Sequence, residues 1–557
     1  MTVKQLITTI FLVSSITTFA QDKYVIRLTD KNNSPFSIGN PQAFLTQRAI
    51  DRRTKQNIPF DNYDLPVNTT YIQGIENTGA TILNYSKWLN TVTIQTSTPS
   101  VLTAISALPF VLSTTNVARF SSSPSTHQKF EEESIPPILT TSIVARTNSL
   151  NYGNGNNQTT MININALHDL NYQGQGMVIA VIDAGFQNMD MMTCFDSIRA
   201  NNQLLGTWDF VDHETDVYDD NSHGSSVLST IAANVPGDLV GTAPKANFWL
   251  LRSEDAPTEY IIEEYNWASA AEFADSVGAD IINSSLGYTE FDDFTQNHTY
   301  ADMDGNTAPC TIAADRAVSK GILVVNSAGN SGNSPWQYIG APADGDSVLS
   351  IGAVDDMENY AGFSSIGPTA DGRIKPDVCA QGQGTFVFTP FGSSSQSANG
   401  TSFSSPVIAG AVACLWQAWP NKTNIEIMES VKRSASQYNN PDNNLGYGIP
   451  DFGSAFTITG AQFIHANEMN DELIVYPNPF VGNHPLTINI KNHNGQNVQV
   501  ELVDAMGKSY FKDKFDLPYN GQNELMFYPS MANMGSGLFF LHVKTDDNKY
   551  VKRLVKL

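Results

Sequence analysis

The sequence predicts a doubly wound, mainly parallel α/β sheet with helices on both faces. A small α+β unit precedes it and a small all-β sandwich follows. Three observations carry this expectation. Between residues 150 and 460, short β-rich runs alternate with helix-like segments, the pattern of a parallel sheet with crossover helices. Before it, strand and helix signals mix and then give way to a serine-, glutamate- and proline-rich stretch. After about residue 467, short apolar runs separated by turn residues replace helical spacing almost entirely.

The chain has 557 residues, room for two to four domains at roughly 100–200 residues each. With 41% hydrophobic and 15% charged residues it has a globular composition. The 31 basic against 55 acidic residues leave a formal charge of −24, which argues against nucleic acid as a partner because phosphate backbones repel such a surface. At the N-terminus, Lys4, an apolar run over 6–16 and Thr18-Phe19-Ala20 have the layout of a secretory signal peptide cut after Ala20. That run is shorter than the ~20 residues a spanning helix needs, and no later segment is long enough, so no transmembrane anchor is expected. Export permits disulfides, and the four cysteines allow three full pairings. Cys379 and Cys414 lie in apolar runs and read as small buried residues, whereas Cys194 and Cys310 lie in polar, loop-like stretches and are the expected bridge.

Taken in order, residues 21–120 carry strand patterns at 24–28, 89–94 and 110–117. Helical patterns lie at 41–53, with Asn40 as N-cap and Pro41 in the first turn, and at 101–108. Residues 121–149, with Glu131-Glu132-Glu133 and Pro136-Pro137, have linker composition. In 150–460, strands are predicted at 178–182, 248–251, 280–283, 322–326 and 348–353, with helices at 267–277 and 312–319. In 467–557, strands are predicted at 473–476, 486–490, 498–503 and 538–543.

In open α/β sheets the chemistry sits at the carboxyl ends of strands. Asp183 ends the run Val-Ile-Ala-Val-Ile there. His223, in Asn221-Ser222-His223-Gly224, precedes a helical stretch over 226–233. Ser402 lies in Gly400-Thr401-Ser402-Phe403-Ser404-Ser405-Pro406, ahead of an apolar helix over 407–415 with Pro406 in its first turn. Singly, an Asp after a strand is usually a turn residue, a His before Gly a packing residue, and a Ser at a helix start an N-cap. Together, acyl transfer needs a hydroxyl nucleophile, a base with pKa near 7 and a group that holds the base in the right tautomer. Asp, His and Ser occur here in one of the chain orders known for such a triad.

These segments resemble the three catalytic blocks of the subtilase family of serine peptidases. The resemblance extends to Gly241-Thr242-Ala243-Pro244-Lys245-Ala246, Asn283-Ser284-Ser285-Leu286-Gly287, Asn326-Ser327-Ala328-Gly329-Asn330 and Lys375-Pro376-Asp377-Val378, covering about residues 150–456. Ser225-Ser226 and Phe403-Ser404 depart from the family's common Thr/His and Met-Ala. The resemblance implies a secreted serine endopeptidase acting on proteins or peptides, with Ser402 as nucleophile, His223 as general base and Asp183 as its orienting acid. Asn330 and the Ser402 N–H would hold the oxyanion. Ser285, Leu286 and Gly287 would pair with substrate backbone, and with Ser327, Ala328 and Gly329 would wall a primary pocket roomy enough for a large apolar side chain. The chemistry would need no cofactor.

The flanks acquire meanings by the same resemblance. Residues 21–120 look like a subtilase propeptide, an intramolecular folding aid and inhibitor, with the maturation bond somewhere in 119–150. The C-terminal module, with Val475-Tyr476-Pro477-Asn478-Pro479, Asp504-Ala505-Met506-Gly507-Lys508 and a closing 550–557 run, resembles the type A sorting domains of the type IX secretion system of Bacteroidota. That implies passage through the periplasm to the cell surface or medium, with the type IX machinery as a partner; a retained glycan- or protein-binding sandwich is the competing reading. Asp302, Asp304, Gly305 and Asn306 resemble the opening of a calcium loop, but residue 313 is Ala where the bidentate acid belongs, so a solvated turn is the simpler reading. Structural calcium is common in the family, and its site here is not indicated. A non-catalytic surface binding protein on the same scaffold is the alternative function. The intact set of Asp183, His223, Asn330 and Ser402 argues against it.

Overall fold

The computed structural model describes residues 22–119, 129 and 150–467, and in the C-terminal part residues 473–476, 480, 486–490, 497–504, 507–516, 524–527, 537–545 and 549–556. The signal peptide, the linker apart from Lys129, and parts of both C-terminal motifs lie outside the described residues.

The N-terminal unit runs β1 (Asp22–Leu28), α1 (Gln47–Lys55), α2 (Thr69–Glu76), β2 (Thr81–Ser86), β3 (Thr91–Thr96), α3 (Pro99–Ser106) and β4 (Val111–Ala118). Its antiparallel sheet has the order β2-β3-β1-β4. Ile26, Ile75, Val92, Ile94 and Ile105 make the core between sheet and helices. The helix expected over 41–53 is shorter than its periodicity suggested: Pro41–Ala43 is a 3₁₀ turn, and α1 begins only where the Thr46 side chain accepts the Ala49 N–H at 3.3 Å.

The central sheet contains β5 (Val178–Asp183), β6 (Leu204–Asp209), β7 (Asn247–Arg252), β8 (Ile281–Ser284), β9 (Leu323–Ser327), β10 (Leu349–Val354) and β11 (Val378–Gln381). Its order is β11-β10-β9-β8-β5-β7-β6, and all its pairings are parallel. The main helices are α4 (His223–Ala232), α5 (Ile262–Val277), α6 (Pro309–Ser319) and α7 (Thr401–Ala418). Strand β5 shows why both faces are covered. Val178, Ala180 and Ile182 pack into one core with Trp267, Ala271 and Ala313, while Ile179 and Val181 pack into the other with Val227, Val407 and Ala411. A run apolar on both faces is what a buried parallel strand requires.

That sheet also corrects the expected disulfide. Cys194 belongs to one core and Cys310 to the other, so the sheet lies between them. All four cysteines are free and buried thiols. Burial pushes the Cys194 thiol up to about 12, keeping it neutral.

Helix α5 is where the N-terminal unit docks. Glu272 accepts the Lys87 and Trp88 N–H groups at 2.7 and 2.8 Å, and buried Asp275 binds Arg52, Arg53 and Lys87 at 2.6–2.8 Å. Three cations hold the Asp275 carboxyl well below the usual range against the opposing effect of burial. Trp88 itself inserts into the core that contains Trp267.

The C-terminal part is all β in its described residues. Leu473–Tyr476, Leu486–Ile490 and Glu524–Phe527 form one antiparallel sheet; Asn497–Asp504, Ser509–Asp516, Gly537–Lys544 and Lys549–Lys556 form another. Val475, Ile488, Val500, Leu541 and Leu554 share their core. Among the described residues, no helix is long and apolar enough to cross a membrane.

Candidate active site

Asp183 closes β5 at the carboxyl edge of the sheet and is fully buried. Its Oδ1 accepts the Ala184 N–H at 2.8 Å and faces His223 Nδ1 at 2.7 Å. His223 is the first residue of α4, with its N–H bonded to Asn221 Oδ1 at 2.8 Å. Gly224 makes this approach possible: a Cβ there would lie 2.3 Å from Gly185 O and 3.0 Å from Asp183 Cβ. Any larger residue would push the helix, and His223 with it, off the carboxylate.

Ser402 sits in the first turn of α7, which starts at Thr401 and not at 407 as its apolar pattern suggested. Pro406 is therefore inside the helix. Proline has no N–H, so the carbonyl four residues back, that of Ser402, loses its helical partner. Ser285 Oγ fills the gap, donating to Ser402 O at 2.9 Å, while Ser402 Oγ lies 3.4 Å from Ser285 O. The helix start is thereby tied to the chain that leaves β8. Gly400, with φ +148°, makes the sharp entry into the helix.

Asn330 is exposed, after the end of β9. Its Oδ1 accepts both the Thr401 N–H and Thr401 Oγ1 at 2.9 Å, and Thr401 Oγ1 in turn accepts the Gly329 N–H at 3.2 Å. With its oxygen engaged, the amide presents its NH₂ group on the side of Gly400 and Ser402; Nδ2 lies 3.7 Å from where a Gly400 Cβ would stand. The Ser402 N–H, in the first helical turn, has no intrahelical acceptor. The two nitrogens approach a common point, Ser402 N lying 3.6 Å and Asn330 Nδ2 3.7 Å from where a Gly400 Cβ would stand.

A cavity of about 310 Å³ joins these groups. Ser402, Asn330, Ser285, Leu286, Gly287, Ser327 and Gly329 line it. Ala328 does not: it packs with Ile339 and Ala343. The cavity also departs from the apolar character expected of it, because Glu254, Glu259, Glu290 and Lys129 share its lining. Of the unusual residues, Phe403 is buried with its ring 6.1 Å from that of His223, and Ser404 Oγ donates to Thr401 O at 3.1 Å. Asp302 and Asp304 are spent on their own turns, accepting from Thr299 and from Asn306 and Thr307. Thr401 and the Glu254–Glu259–Glu263 group escaped the sequence reading. Thr401 carries no signal of its own beyond its place before Ser402; the acids could have been noticed as a dense run after a strand.

Comparison with known proteins agrees with this architecture. The Subtilase family model matches residues 174–448, the peptidase S8 propeptide domain model of Bacteroidota matches 23–133, and the secretion system C-terminal sorting domain model matches 474–557. Subtilisin NAT of Bacillus subtilis subsp. natto is 33% identical over 279 residues, 49% of this chain and 64% of that protein. Subtilisin of Bacillus pumilus is 33% identical over 275 residues, 49% of this chain and 88% of that protein. The crystal structure of fervidolysin from Fervidobacterium pennivorans, a keratinolytic enzyme related to subtilisin, shares the fold at 18% identity. Its TM-score is 0.51, and the match covers 94% of this chain and 71% of that one. With a third of the 275 aligned residues identical, across 88% of the Bacillus pumilus protein, the chain belongs to the subtilase family.

Proposed function

We propose that the chain is a secreted serine endopeptidase, made as a zymogen. The observation that carries this is the 2.7 Å contact of buried Asp183 with His223 Nδ1, the His223 ring lying 6.1 Å from that of Phe403, the residue after Ser402. Ser402 Oγ attacks the scissile carbonyl and passes its proton to His223, which returns it to the leaving amine; Asp183 holds the tautomer and stabilises the imidazolium. The Asn330 NH₂ and the Ser402 N–H, at the positive end of α7, receive the charge that develops on oxygen. Water then cleaves the acyl-enzyme by the same route. Ser285, Leu286 and Gly287 align the substrate backbone as an added strand, and Gly287 is exposed to receive it. No cofactor enters these steps.

The pH profile tests the base. An unperturbed histidine titrates near about 6.5, and only the neutral ring can accept the Ser402 proton. Activity is therefore present above the imidazole pKa and lost as pH falls through it, in one protonation step of kcat/KM. A profile that stays flat down to about pH 4 would mean carboxylate chemistry instead.

The N-terminal unit acts as the intramolecular inhibitor, and the docking on Glu272 and Asp275 supports this. Residues 1–20 direct export to the periplasm, and the C-terminal domain carries the protein onward through the type IX machinery. Deleting the chain from about residue 467 is expected to leave peptidase activity intact and to trap the protein in the periplasm. Fractionation reads this out directly: truncated protein at full yield in the medium would make the domain a binding module.

A further inference from the structure

One cluster in the cleft takes no part in the acyl transfer. Glu254 follows β7, Glu259 lies in the loop beyond it, and Glu263 is in the first turn of α5. One oxygen of each carboxylate lies within 4.8 Å of the others. Glu254 and Glu263 are 0% and 1% exposed. Such a group cannot stay charged without a cation, and the cation present is Lys129. Its Nζ lies 2.7 Å from Glu254 Oε2, 3.0 Å from Glu259 Oε2 and 2.6 Å from Glu263 Oε2. Glu254 Oε2 and Glu263 Oε2 are buried and accept no other hydrogen bond among the described residues. An ammonium has three N–H donors, one for each acid. Thr258 O lies at 3.4 Å as a fourth contact. Even with Lys129 in place, burial and repulsion from Glu254 push Glu259 up to about 7 and Glu263 well above its ordinary value.

Lys129 does not belong to the catalytic sheet. It lies between β4 and residue 150, inside the stretch 23–133 that matches the propeptide model. The cavity that holds it is lined by Ser402 and Asn330 as well. We propose that Glu254, Glu259 and Glu263 form a specificity pocket for a substrate lysine, which Lys129 fills in the zymogen as the enzyme's first substrate side chain. This rests on the peptidase reading above. Maturation empties the pocket only if the chain is cut on the C-terminal side of Lys129. Since Ser402 lines the same cavity, the bond lies a few residues along at most, given ~3.3–3.6 Å per extended residue. Once vacated, the three buried acids give up protons as an ammonium enters, and so favour a substrate lysine over any neutral side chain. A compact ammonium also suits three convergent oxygens better than a planar guanidinium fork does.

The test uses mature enzyme and synthetic peptides spanning residues 124–136, with Lys129 kept or replaced by arginine or norleucine. The lysine peptide is expected to exceed the norleucine peptide at least about tenfold in kcat/KM, with arginine between them. Glu259→Gln and Glu263→Gln enzymes should each shrink the lysine-to-norleucine ratio. The full-length Lys129→Met chain should convert itself more slowly, and the wild-type mature N-terminus should begin just beyond residue 129. Equal rates for lysine and norleucine peptides overturn the pocket and leave the peptidase reading standing. No cleavage of either peptide or of casein overturns that reading and this one with it. Calcium binding that Glu259→Gln abolishes, with a lysine-to-norleucine ratio near one, would make the cluster a metal site and overturn the proposal.

Discussion

Ser402→Ala abolishes peptide hydrolysis, with kcat expected to fall about 10⁶-fold, the loss carried over from the same substitution class in subtilisin. In the proposed mechanism it is this hydroxyl that forms the acyl bond. Removing it costs little structurally, because Ser402 Oγ lies a long 3.4 Å from Ser285 O, while the bond that anchors the turn runs from Ser285 Oγ to the Ser402 backbone carbonyl. The variant should fold with α7 undisturbed. It should also accumulate as the full-length zymogen, with the N-terminal unit still docked on Glu272 and Asp275. Gel analysis and a peptide assay read both effects. Hydrolysis within tenfold of wild type would remove Ser402 from the mechanism.

Asn330→Leu is expected to lower kcat by roughly 10²–10³, about 2.7–4 kcal/mol, with KM little changed. That magnitude is also subtilisin's. The kcat effect follows from the proposed mechanism, in which the amide NH₂ meets a charge present only in the transition state. A second loss is built into this structure: Asn330 Oδ1 accepts from both Thr401 N and Thr401 Oγ1, so the leucine also frees the residue next to the nucleophile. Asn330→Asp separates the two. It keeps the acceptor for Thr401 but replaces the NH₂ donor by an oxygen, so it should lose as much kcat as leucine while keeping more of the thermal stability. The comparison requires folded, fully matured protein, since slow self-cleavage mimics the loss. An unchanged kcat in such protein would place the oxyanion donors elsewhere.

Much of this molecule was determined locally, and local patterns are what a sequence displays. Strand β5 is apolar at every position from Val178 to Ile182, so its burial on both faces, and with it the parallel sheet, follows from residue order alone. Asp183 at its end, His223 before a helix and Ser402 after Gly400 are legible for the same reason: each lies where a strand or helix must begin or stop. The β-rich character of the C-terminal part is equally local.

What only the tertiary structure decided depends on residues far apart in the chain. Cys194 and Cys310 looked alike in sequence, yet they lie on opposite sides of the sheet, because face is assigned by packing and not by the polarity of neighbouring residues. The apolar pattern starts α7 too late because four of the residues from Thr401 to Ser405 are polar and Pro406 mimics a first turn; Ser285, more than a hundred residues away, donates to the Ser402 carbonyl that Pro406 leaves without a helical partner. Thr401 gained its role only when Asn330 arrived beside it. The acid pocket is the extreme case. Glu254, Glu259 and Glu263 are ordinary surface residues by type, and Lys129 an ordinary linker residue. Their charges matter because folding withdraws all four from water and brings Lys129 Nζ within 3.0 Å of one oxygen of each acid.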